Sequence, residues 1–148
     1  TYEGDTPAEA ARKLADAGAD IVGVNCLNGP EEQLPIAVEM RGAVDVPVAA
    51  QPVGYRTSAE ALDFTSTPAF PFGLDPLQVT RKALADFATA CAEADVRYVG
   101  SCCGSVAGHV RAMAKALGKR TTEERPWRST SGKAMSAYEY YGHAEEEV

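Results

Sequence analysis

The sequence predicts an α/β protein of parallel strands joined by helical crossovers, in an open sheet or a barrel. Three observations carry this. Short runs rich in Val and Ile alternate with longer runs whose apolar residues have helical spacing. Two strand-like segments repeat one another: Ala-Asp-Ile-Val-Gly-Val-Asn-Cys, ending at Cys26, and Val-Arg-Tyr-Val-Gly-Ser-Cys-Cys, ending at Cys103. Their cysteines lie 77 residues apart, room for two βα units with one strand between them. The composition is globular, with 45% apolar and 24% charged residues in 148.

Each element has a local reason. Thr6-Pro7-Ala8-Glu9 is a capping box with Pro at the first helical position. Ala11, Leu14 and Ala15 give that helix its apolar face, and Gly18 stops it. The run 21–26 is β-branched and reads as a buried strand. A helix is predicted over 31–41, after Gly29-Pro30, and a strand over 46–51. Residues 52–76 form a long loop with four prolines, and Tyr55, Phe64, Phe70 and Phe72 are expected to pack it down. Asp75 reads as the cap of a helix carrying Val79, Ala83, Leu84, Phe87, Ala90 and Cys91. The third strand is predicted over 96–101. The last helix runs over 106–117 and stops at Gly118. Residues 1–118 thus form one domain. Residues 119–148 are polar, end in the acidic run 145–147, and read as a tail or docking arm.

Composition excludes several functions. The 14 Lys and Arg against 21 Asp and Glu give a net charge of −7 with no basic cluster, which argues against a nucleic-acid partner. No apolar run approaches the ~18 residues a membrane helix needs. Four cysteines are too few for a disulfide scaffold, and no export signal is visible, so a soluble cytoplasmic protein is expected.

The repeat places Cys26 and Cys103 at the C-terminal ends of alternate strands, with Cys102 adjacent. In a (β/α)8 barrel, alternate strands feed one interior layer and chemistry sits at those ends. Three convergent thiols with an open fourth position is the pattern of a catalytic zinc, and soft ligands there suit a substrate thiol. Amides at the start of the helix after Cys103 would add to the stabilisation of sulfur charge. Each cysteine is also readable as a small buried apolar side chain, which is the reading for Cys91. His109 and His143 read as surface residues rather than a fourth ligand. A thiol redox role for Cys102-Cys103 is weak, because adjacent cysteines make only a strained disulfide and there is no C-x-x-C.

Gly23-Val24-Asn25-Cys26 and Gly100-Ser101-Cys102-Cys103-Gly104 resemble the zinc-binding signatures of the homocysteine S-methyltransferases, most of all the betaine-using members. Gln51-Pro52 with Tyr55, the run 68–76, Arg97-Tyr98-Val99-Gly100 and the run 109–114 support the resemblance, which extends over about 6–118. It implies the C-terminal three βα units of a (β/α)8 barrel and one zinc held by Cys26, Cys102 and Cys103. It also implies methyl transfer from betaine or a similar donor to homocysteine, giving methionine. Ser101 departs from the family's usual Gly, and its hydroxyl would crowd the metal or hydrogen-bond a sulfur. A complete barrel needs roughly 250 residues. A partial sequence is therefore expected, with little activity alone and an open sheet edge able to pair with another chain. The alternative is a non-catalytic zinc or thiol module that assembles with a partner.

Overall fold

The computed structural model describes Thr1 and residues 3–119. Residue order gives α1 (Pro7–Asp16), β1 (Val22–Asn25), α2 (Pro30–Arg41), β2 (Val48–Gln51), α3 (Arg81–Glu93), β3 (Tyr98–Val99) and α4 (Ala107–Ala116). Two 3-10 turns, Phe64–Ser66 and Asp75–Leu77, lie in the long connection before α3. The tail reading beyond Lys119, with His143 and the acidic run, falls outside the described residues.

The three strands form one parallel sheet in the order β1-β2-β3. Val22 pairs with Val48 and Asn25 with Gln51, while Ala49 pairs with Tyr98 and Ala50 with Val99. Strand alternation then sorts the side chains. Val22, Val24, Val48, Ala50 and Val99 join a core completed by Ala11 of α1, Ala37 and Met40 of α2, Leu84, Phe87, Ala88 and Cys91 of α3, and Met113 of α4. The other face carries Gly23, Asn25, Ala49, Gln51 and Tyr98, and is far more open. All four helices therefore serve one face of the sheet.

Local sequence explains α1 well. Thr6 Oγ1 accepts from the Glu9 N–H at 3.2 Å, and Glu9 accepts from the Thr6 N–H at 2.8 Å. The expected start of α3 is wrong. Asp75 opens only a 3-10 turn, and the helix is capped by Thr80, which accepts from the Ala83 N–H at 3.1 Å. Tertiary bonds hold the intervening residues out of the helix. Gln78 bridges Tyr55, the Val79 N–H donates to the Gly54 carbonyl, and the Val79 carbonyl accepts from His109.

The third strand is also shorter than predicted, because the chain leaves the ladder after Gly100 to make the cysteine turn. The loop aromatics divide. Tyr55 stacks on a buried Phe64 at 5.5 Å, and Phe70 meets Phe64 edge-on at 5.9 Å. Phe72 is 99% exposed and does not pack as expected.

Candidate metal centre

The end of the central strand holds the backbone of all three cysteines. The Gln51 carbonyl accepts from the Cys26 N–H at 2.8 Å, and the Pro52 carbonyl from the Cys102 N–H at 2.8 Å. The Gly54 N–H donates to the Cys103 carbonyl at 2.7 Å. Pro52 and Val53 are fully buried, so this spine is fixed by the core. Gly54 has to be glycine. A Cβ there would stand 2.7 Å from the backbone carbon of Gly104.

The side chains converge as a result. The sulfurs of Cys26 and Cys103 are 3.6 Å apart, those of Cys102 and Cys103 3.9 Å, and all three lie within 4.8 Å of one another. Two zinc–sulfur bonds of ~2.3 Å at a tetrahedral angle place their sulfurs about 3.8 Å apart. The cluster fits that spacing, and Cys26, Cys102 and Cys103 could hold one metal ion. Among the described residues, no other group of three His, Cys, Asp or Glu side chains does so. Cys91 is 0% exposed within the core and takes no part.

Cys26 reaches the cluster through an unusual backbone. Both Cys26 (φ 69°) and Leu27 (φ 64°) occupy the left-handed region, which side-chain-bearing residues seldom adopt. The turn carries the chain off β1, with the Cys26 N–H held by the Gln51 carbonyl and the Asn28 carbonyl by the Val53 N–H. Conformations of this kind collect at functional sites.

The thiols are electrostatically unequal. Burial works against ionisation of Cys26, but the Leu27 N–H, the two neighbouring thiols and the Cys103 N–H outweigh it and lower its pKa. Cys103 is pushed up to about 11, first by its hydrogen bond to Cys26 and then by burial. Burial alone raises Cys91 to about 11. In the metal-free chain, alkylation at mildly alkaline pH is therefore expected to strike Cys26 before Cys103 and Cys91, because the thiolate is the nucleophile. Access alone gives the opposite order for the first two, since Cys103 is exposed and Cys26 half-buried. Peptide mapping after brief iodoacetamide treatment decides between them; first modification at Cys103 would refute the assignment.

Three sequence expectations need correction. His109 is buried, not a surface residue. Its Nδ1 accepts from the Val106 N–H at 3.1 Å, so the proton sits on Nε2, which donates to the Val79 carbonyl at 3.0 Å. It ties α4 to the start of α3. Its place four residues before Met113, on the buried stripe of α4, was the available signal. The amides leading into α4 do not reach sulfur as expected. The Ser105 N–H goes to the Cys102 carbonyl and the Val106 N–H to His109. The Leu27 and Cys103 amides do that work instead. Ser101 Oγ is buried with no hydrogen-bond partner among the described residues, so it does not bond a sulfur.

A family model for homocysteine S-methyltransferase matches residues 1–117. The S-methylmethionine–homocysteine S-methyltransferase of Pongo abelii is 38% identical over 125 residues, covering 78% of this chain and 34% of its own length. The betaine–homocysteine S-methyltransferase 1 of Danio rerio is 38% identical over 120 residues, covering 77% of this chain and 30% of its own. The S-methylmethionine–homocysteine S-methyltransferase of Mus musculus is 40% identical over 125 residues, with 78% and 34% covered. The chain thus spans 30–34% of the length of these relatives. The family match takes in all three βα units and the three thiols at their ends, and the chain belongs to the homocysteine S-methyltransferase family.

Proposed function

We propose that this chain carries the zinc-binding part of a homocysteine S-methyltransferase. Cys26, Cys102 and Cys103 hold one zinc ion, homocysteine is the methyl acceptor, and betaine or S-methylmethionine is the donor. The observation that carries this reading is the spacing of three sulfurs at strand ends, in a chain of this family. In the transfer, a lone pair on the homocysteine sulfur forms a bond to the methyl carbon as the donor's C–N or C–S bond breaks. The electrons of that bond stay with the departing amine or sulfide.

Zinc supplies a Lewis acid that keeps a fourth sulfur as thiolate near neutral pH. The chain's own residues do the holding. The spine 51–54 fixes the cysteine backbones, and the Leu27 N–H stabilises negative charge on Cys26. Three thiolate ligands suit a reducing cytoplasm.

The sheet supports the barrel reading. Parallel sheets are ordinarily covered on both faces, and here the helices cover one. Residues 1–118 then form three of eight βα units, with the face of Gly23, Asn25 and Gln51 turned to the barrel interior. Further strands, from a longer polypeptide or another chain, would complete the barrel and supply the rest of the substrate site. No helix among the described residues is long and apolar enough to cross a membrane.

The test is zinc X-ray absorption on the purified 148-residue chain. About one zinc per chain is expected, with three sulfurs at ~2.3 Å and one lighter ligand. Homocysteine, but not homoserine, is expected to convert this shell to four sulfurs. A chain without zinc, or a shell indifferent to homocysteine, would refute the reading. Little methionine is expected from the chain alone; rapid turnover would show that these residues suffice.

A further inference from the structure

Gln33 lies in the first turn of α2 and is 0% exposed. Its backbone N–H bonds the Gly29 carbonyl at 2.9 Å, so the helix fixes its position. Its side-chain Nε2–H donates to the Cys26 carbonyl at 3.1 Å, while its Oε1 is buried without a partner. A buried polar atom left unbonded is destabilising, because it has given up its hydrogen bonds to water. An apolar side chain of the same length would avoid that cost, so fold stability alone does not account for an amide here.

What the amide touches does account for it. Two successive residues, Cys26 and Leu27, sit in the left-handed region, which crowds the Cβ against the backbone. Such a turn persists only when its surroundings hold it. The Cys26 carbonyl also accepts the Asn28 N–H at 2.8 Å, and beyond it the Leu27 and Asn28 carbonyls accept from the Phe64 and Val53 N–H groups, each at 3.0 Å. These last two bonds hold the far end of the turn, not the Cys26 carbonyl itself. The Cys26 N–H is tied to β2 through the Gln51 carbonyl. On the carbonyl side, the Gln33 amide supplies the tie to a helix.

We propose that Gln33 is a positioning residue for the metal centre: its amide clamps the Cys26 carbonyl to α2 and so aims the Cys26 sulfur at Cys102 and Cys103. The inference rests on the zinc reading above. Gln33 is not one of the three thiols; through its bond to the Cys26 carbonyl it would act on the backbone of a ligand, as outer partners of metal sites do.

The discriminating variant is Gln33→Met in the 148-residue chain. Methionine keeps the length and removes the orphan oxygen, and the Cys26 carbonyl keeps its bond from Asn28. Zinc affinity, measured by chelator competition, is expected to fall ~10–100-fold, the range for outer partners of metal ligands. The melting temperature of the metal-free chain is expected to stay level or rise. With Co2+ in place of zinc, the d–d bands are expected to shift, because the sulfur geometry relaxes. Gln33→Leu serves as the second variant should the first fold poorly.

Unchanged zinc affinity and an unchanged cobalt spectrum would overturn the inference while leaving the metal reading intact. So would a loss of affinity matched by an equal loss of metal-free stability, which marks a merely structural role. A wild-type chain that takes up no zinc would overturn both.

Discussion

On the zinc reading, replacing any one of Cys26, Cys102 or Cys103 by Ser is expected to abolish zinc binding. Wild-type protein should retain about one zinc per chain through gel filtration, and each variant almost none. The sulfurs sit 3.6 and 3.9 Å apart across two pairs, so each loss leaves two thiolates where the geometry needs three. A serine hydroxyl is a harder, far less acidic donor and does not replace the missing thiolate. The loss should therefore exceed the ~10–100-fold typical of removing an outer partner. Cys91→Ala is the internal control. It removes a thiol from the core but none from the cluster, so metal content should hold while stability falls somewhat. Elemental analysis of the four variants gives the answer. Zinc at the wild-type level in both the Cys26 and Cys103 variants would sink the triad.

That cluster was readable before any coordinates, for a physical reason. Parallel strands in one sheet end on one side, and a repeat that aligns Cys26 with Cys103 must bring both to that side. The alternation of β-branched runs with helical ones likewise gave β1, β2 and the single parallel sheet. Where a single local interaction decides the outcome, as in the Thr6–Glu9 capping box, the sequence was a sufficient guide.

The failures share a cause. Asp75 is a good cap by local chemistry, but Gln78 and Val79 are drawn into bonds with Tyr55, Gly54 and His109, distant in sequence. Those bonds outbid the helix until Thr80. His109 looked like a surface residue because its two partners, Val106 N–H and Val79 carbonyl, are backbone groups with no signature of their own. The same holds for Gln33, whose meaning depends on the Cys26 carbonyl, and for the left-handed turn at Cys26 itself. Residue types announced the three thiols. The groups that bond the backbone around them are recognisable only once that backbone is in place.

Gly104→Ala should be among the most damaging single substitutions, and it should act on fold and metal together. Gly104 has φ +76°, and a Cβ built there stands 2.3 Å from the Tyr55 ring. Tyr55 has little room to retreat, since it stacks on Phe64 and bridges Gln78, whose amide in turn donates to the Gly104 carbonyl at 2.9 Å. The left-handed conformation costs about 1–2 kcal/mol and the overpacking about 1–3 kcal/mol more, so a loss of roughly 2–5 kcal/mol is expected. Gly118→Ala separates the two terms. Its φ is +63° with nothing within 4 Å, so it should show the conformational cost alone. Denaturant midpoints of the two variants measure the difference. Because Gly104 follows Cys103 directly, a backbone shift at Gly104 that relieves the clash also moves a sulfur, and zinc affinity should fall in Gly104→Ala but not in Gly118→Ala. Equal stability loss in the two, with zinc binding intact in both, would mean that Tyr55 yields and that the cysteine turn is not braced by the long loop.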